Sequence, residues 1–180
     1  MEWYSFSIVK VNTKEAISEF MSAVSKIVSF LSLFFTALAL CPYVAHLMSF
    51  QNKMEMSREE YFIAQQVFNG WSYSSILILL SFFSTIALSI LAKDHDRVLR
   101  FSLGAAFCIG MSLMVFFVFT FPANQITENW TLQPQSWQDL RIQWEYSHAF
   151  NAILYMAAEA LLIMSVLSWP VKDNYKVSLT

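Results

Sequence analysis

Charge is scarce in this chain. Only 13% of its 180 residues are Asp, Glu, Lys or Arg, against roughly 25% in soluble domains. So few charges cannot coat a water-soluble globule, which argues against a soluble enzyme and against a disordered chain. The formal net charge of −2 argues against a nucleic-acid binder, because phosphate contact needs a basic surface. Cysteine is sparse too. Cys41 and Cys108 both fall in apolar stretches and form no Cys-x-x-Cys pair, so the reactive couple of a quinone-linked disulfide enzyme is missing. They read as small buried apolar residues. P-loop, dinucleotide, zinc and Gly-x-Ser-x-Gly motifs are lacking, as are internal repeats and the alternating patterns of a chiefly β chain.

What the chain has in plenty is apolar: 57% hydrophobic and 17% aromatic residues, with a mean hydropathy of +0.48. Four apolar stretches stand out, at about 27–50, 70–92, 101–121 and 148–169. Each is near the ~20 residues that carry a helix across a ~30 Å hydrocarbon core. Helices are the form that satisfies every backbone polar group inside its own segment. The length fits a single domain covering residues 1–180. The expected fold is therefore all-α, an integral membrane antiparallel four-helix bundle.

Lys and Arg set the expected orientation. Lys10, Lys14, Lys26, Lys93, Arg97, Arg100, Lys172 and Lys176 fall on one side; Lys53, Arg58 and Arg141 fall on the other. The bias puts both termini in the cytoplasm, as in a bacterial inner (plasma) membrane. The start is not a cleavable signal, because Glu2, Lys14, Glu15 and Glu19 interrupt it. Asn12 three residues before Glu15 resembles a capping box, so an amphipathic helical lead-in is expected from about Thr13. Trp3, Tyr4 and Phe6 would anchor at the interface. Asn129-Trp130-Thr131 fits a glycosylation sequon on the outer side.

The polar residues that enter the apolar spans carry the functional reading. On a continuous helix advancing 100° per residue, Arg141 and Tyr155 lie within about 20° of His148, and so do Trp137 and Glu159. With Trp144 they form one stripe, opposite a lipid-facing side of Ile153, Leu154, Leu161 and Ile163. Ionisable groups inside a membrane face a bundle interior or a wet cavity. The stripe reads either as structural ties between helices or as a small-molecule site opening to the outer leaflet, with His148 moving protons. Other spans offer partners at the same end. Gln66, Asn69 and Tyr73 are spaced for one helical face, and Tyr43 and His46 close the first span. Pro122 reads as a helix-ending signal with Asn124 after it.

The run Asn124, Trp130, Pro134, Trp137, Leu140-Arg141, Trp144-Glu145, His148 resembles the anthrone oxygenase-like family of small four-span membrane proteins. Most of its members are bacterial and of unknown function. The likeness covers about the first span to Leu167, and includes the Gln66 and Asn69 segment. Where that family commonly has a second arginine after the histidine, this chain has Asn151, so an anionic-substrate role does not carry over. The resemblance implies the fold and a site around Arg141 and His148. Its fungal members oxidise anthrones with molecular oxygen and no evident cofactor.

Three functions stand side by side. One is a cofactor-independent oxygenase for a lipophilic phenol-like molecule. In it His148 is the base and Arg141, Gln66, Asn69 and Asn124 hold the oxyanion. Trp137 and Trp144 stack on the ring, while Tyr73 and Tyr155 complete the wall. This reading needs no metal or other cofactor. The second is a non-catalytic accessory or structural membrane subunit, paired with a membrane protein or with its own copy. The third is a haem or metal carrier using His46 and His148. A transport role would make Glu159 a proton site.

Overall fold

The computed structural model describes residues 13–170. The anchors Trp3, Tyr4 and Phe6, the capping residue Asn12, and Lys10, Lys172 and Lys176 lie outside the described residues. Among the described residues every regular element is helical. Helix α1 spans Thr13–Glu55, followed by the short α2, Arg58–Gln65. Two 3-10 turns, Gln66–Phe68 and Trp71–Ser74, lead into α3, Ser75–Leu91. Helix α4, Asp96–Val115, continues through a π turn, Phe116–Thr120, into α5, Phe121–Ile126. Helix α6 spans Trp137–Leu167.

Four helical stretches are long and apolar enough to cross a membrane: Ala16–Glu55, Trp71–Leu91, Asp96–Ile126 and Trp137–Leu167. All but the second overrun the apolar stretches seen in the sequence. At 1.5 Å per residue, the 43 residues of α1 extend about 64 Å, well past a ~30 Å hydrocarbon core. Helices α1 and α4 each pack on both α3 and α6, which closes a four-helix ring. Contacts run in opposite chain order across α1 and α6, as expected for antiparallel neighbours: Lys53 meets Glu145, and Tyr43 meets Tyr155.

The bundle is inside out relative to a soluble protein. Phe30, Phe34, Phe83, Ile90, Phe107, Phe117 and Ile153 are exposed, an apolar coat suited to lipid. The seam between helices holds small residues, among them Ala39, Ala105, Ala152 and Ala158, with Leu88, Ile109 and Leu162. Hydroxyls tie the helices together. Thr36 and Ser81 lie 2.7 Å apart, Ser89 donates to Ser102 at 2.9 Å, and Ser165 donates to the Val98 carbonyl at 3.0 Å. In lipid such ties average about 0.6 kcal/mol each, and small residues let the backbones approach. Leu161 departs from the expected lipid face. It is half-buried, and its methyl lies 3.3 Å from where a Cβ on Gly104 would sit.

Pro122 does not end its helix, contrary to the sequence reading. The π turn before it reaches from the Phe121 amide to the Phe116 carbonyl, a five-residue step that eases a residue with no N–H into a continuing helix. Helix α6 fixes that turn: Gln143 Nε2 donates to the Phe119 carbonyl at 2.7 Å, and the Thr120 and Ser147 hydroxyls lie 2.7 Å apart.

Candidate functional site

The polar stripe on α6 is continuous, because α6 runs unbroken from Trp137 to Leu167. Arg141, Trp144 and Tyr155 are buried; Trp137, His148 and Glu159 are half-buried. The stripe faces the end of α1, and α2 closes over it. Helix α2 forms there because Ser57 and Glu60 make a reciprocal capping box. The Ser57 amide donates to Glu60 Oε2 at 2.9 Å, and the Glu60 amide donates to Ser57 Oγ at 3.4 Å.

The centre of the site is a charge pair that the sequence reading did not find. Lys53 Nζ lies 2.7 Å from Glu145 Oε2, and the two side chains are 3% and 0% exposed. The Tyr61 hydroxyl donates to Glu145 Oε1 at 2.9 Å, and Gln65 Nε2 donates to that hydroxyl in turn. Burial, and after it the Glu145 charge, pushes the Tyr61 phenol above its ordinary range, so it stays a donor. Lys53 also lies 3.3 Å from His46 Nδ1 and about 5 Å from the Trp144 and Phe68 rings (5.1 and 5.2 Å). The pair escaped notice because the first apolar stretch ends near Phe50, which left Lys53 counted as a loop charge. The Ser57-x-x-Glu60 box was the available signal that a new helix starts at once and turns the chain back.

His46 and His148 meet. Their ring centroids are 4.2 Å apart at an interplanar angle of 31°. Trp144 lies 4.1 Å from His148, and Phe68 lies 4.3 Å from His46, with Trp71 at 5.9 Å. Aromatic rings therefore cover the pair. Both ring nitrogens of His148 are buried and have no hydrogen-bond partner among the described residues; the same holds for both amide atoms of Asn151 and for the Tyr155 hydroxyl. Leaving such a group unmet costs about 1–3 kcal/mol, so a run of them marks a place built for something polar.

Other residues expected at the site hold the fold. Arg141 Nη1 donates to the Met56 carbonyl at 2.8 Å and the Lys53 carbonyl at 3.4 Å, capping the end of α1 as basic side chains do. Its guanidinium also lies over the Trp137 ring at 4.7 Å and the Tyr61 ring at 5.4 Å. Asn124 Oδ1 accepts from Trp144 Nε1 at 2.7 Å and Trp130 Nε1 at 3.3 Å. Gln66 Nε2 donates to the Trp130 carbonyl at 3.0 Å. Trp130 itself is buried by three successive left-handed residues, Glu128, Asn129 and Trp130, with φ of 48°, 56° and 65°. Such residues cost roughly 1–2 kcal/mol each outside glycine, which the tryptophan's packing against Tyr61, Phe62 and Trp144 offsets.

Gln66, Asn69 and Tyr73 do not share one helical face. Asn69 is extended and Gly70 turns at φ 85°, which breaks the helix between them. Asn69 is exposed, and Tyr73 is 79% exposed. For a carried metal, two imidazoles stacked this closely leave no space for an ion or porphyrin between them, since each Zn–N bond alone takes about 2 Å. No cluster of three or more metal-binding side chains occurs among the described residues.

Fold and site together define a membrane-spanning four-helix bundle with a buried ion pair and a histidine pair at one end. Comparison of the chain with family models, curated proteins and solved structures finds no match.

Proposed function

We propose that this protein carries a membrane-embedded acid–base site for a small lipophilic molecule with an ionisable O–H or C–H bond. His148 is the proton acceptor. The observation that supports this most directly is that both of its ring nitrogens are buried without a partner, beside Asn151 and Tyr155, whose polar atoms are likewise unmet. A bound molecule with one or two polar groups would satisfy them, while Trp144 and Phe68 provide flat apolar walls. Lys53, held by Glu145 and set beside His46, would favour an anion formed next to the histidines. Arg141 is a positioning residue in this scheme, because its donors are spent on the end of α1.

The resemblance to the anthrone oxygenase-like family supplies a class of substrate: a phenol-like polycycle whose anion reacts directly with oxygen. Oxygen uptake by the purified protein with anthrone as probe tests it. His148→Gln is expected to slow uptake about a hundredfold or more, the scale of a lost general base. Uptake that is unchanged in His148→Gln, or product formed equally without oxygen, overturns the oxygenase reading.

A second reading is a non-catalytic accessory subunit, favoured by the way Lys53, Glu145, Tyr61 and Arg141 satisfy one another. It predicts co-purification of a membrane partner or a second copy, and no bound small molecule. The placement we infer is a bacterial inner membrane with both termini on the cytoplasmic side. The Lys and Arg bias supports it, the three outer-side charges being Lys53, Arg58 and Arg141.

A further inference from the structure

The unmet polar groups do not stop at the histidines. Asn151 is fully buried, and neither its amide oxygen nor its amide nitrogen has a partner. One turn on, the Tyr155 hydroxyl is fully buried and unmet; a further turn on, so is Oε2 of the half-buried Glu159. These residues stand three, seven and eleven positions after His148, on one face within about 60°. The other three helices turn polar groups to the same line. Tyr43 of α1 stacks on Tyr155 at 5.0 Å, Ser112 of α4 lies beside the Tyr43 hydroxyl, and Ser81 of α3 lies beside the Tyr155 hydroxyl.

An amide with two donors and two acceptor sites cannot be satisfied by one neighbouring hydroxyl. Buried groups of this kind are normally met by water, which takes about three hydrogen bonds. Hydroxyl, amide, imidazole and carboxyl groups alternate along the line, and each of them can hold or pass a proton through water.

We propose that the bundle axis holds a chain of water molecules from His148 past Asn151 and Tyr155 to Glu159, and that this chain conducts protons. It spans eleven residues of α6, about 16 Å, or half of the hydrocarbon core. The carried species is the proton: it enters at one end of the chain as another leaves at the far end, with no bond to carbon made or broken. This path is independent of which molecule the outer site accepts.

The test uses the full chain in liposomes loaded with potassium and a trapped pH dye. Valinomycin sets the driving potential, and no organic substrate is added. Wild-type vesicles are expected to change internal pH faster than protein-free vesicles. Asn151→Leu, Tyr155→Phe and Glu159→Gln should each slow that flux about tenfold, while Asn151→Ser, which keeps a polar group, should retain most of it. Wild-type vesicles no faster than protein-free ones overturn the proposal, as does undiminished flux in Tyr155→Phe. Tyr155→Phe keeps the ring and its stacking, so it decides the matter even where Asn151→Leu does not fold.

Discussion

Glu145 and Lys53 depend on each other. Removing one member of a buried pair leaves the other uncompensated, at about 3–5 kcal/mol, whereas replacing both with apolar residues of similar size is often neutral. Glu145→Gln and Lys53→Met should therefore each lower the denaturation midpoint sharply in detergent. The double variant Lys53→Met with Glu145→Leu should recover much of the loss, as a double-mutant cycle on thermal unfolding would measure. Tyr61 carries a pH signature. Its pKa is raised in the folded state, so folding favours the protonated phenol. Its stabilising contribution is complete below the unfolded value near 10 and is lost as pH rises beyond it. The midpoint should fall above pH 10, and Tyr61→Phe should flatten that alkaline decline. At this scale the sequence showed Arg141, Trp144 and His148, because they recur with the period of one helix. It hid Lys53 and Gln65, whose partners come from a different helix, and it could not tell that the Arg141 guanidinium ends on backbone carbonyls.

Among the elements, the connection at 66–74 was misread as part of a helix. The Asn69-Gly70 pair is a turn signal in its own right, and Gly70 has nothing within 4 Å of a Cβ placed on it. The break lets Phe68 and Trp71 lie over His46. Phe68→Ala combined with Trp71→Ala should uncover the histidines, so that an imidazole-acylating reagent modifies them faster than in the wild type; an unchanged rate would count against the cover. The loop that seats Trp130 offers a second test. Glu128 is exposed and held at φ 48°. Glu128→Gly relieves a left-handed strain of roughly 1–2 kcal/mol and returns part of it as unfolded-chain entropy. A small rise in the unfolding midpoint is expected.

For the molecule as a whole, the number of membrane-crossing helices was plain in the sequence, because lipid demands long unbroken apolar runs. Their lengths were not, because helix ends that reach the headgroup region carry ordinary polar residues, as residues 137–147 do at the start of α6. Orientation can be read with single cysteines in a background lacking Cys41 and Cys108. Ser136→Cys, just before α6, should react with a membrane-impermeant maleimide added outside intact cells. Asp94→Cys, between α3 and α4, should react only after the membrane is opened. The reverse pattern would invert the proposed placement.

The π turn at Phe116–Thr120 has a consequence for insertions and deletions. Its wider step holds one residue more than an α-helical turn of the same rise. Deleting a single residue there would restore α-helical phase, but it would rotate everything that follows by about 100°. Asn124 would then swing away from the two indoles that it now joins. The chain can thus change length freely by one residue in many surface loops, yet within this apolar run of phenylalanines a one-residue loss would unseat the outer end of the bundle.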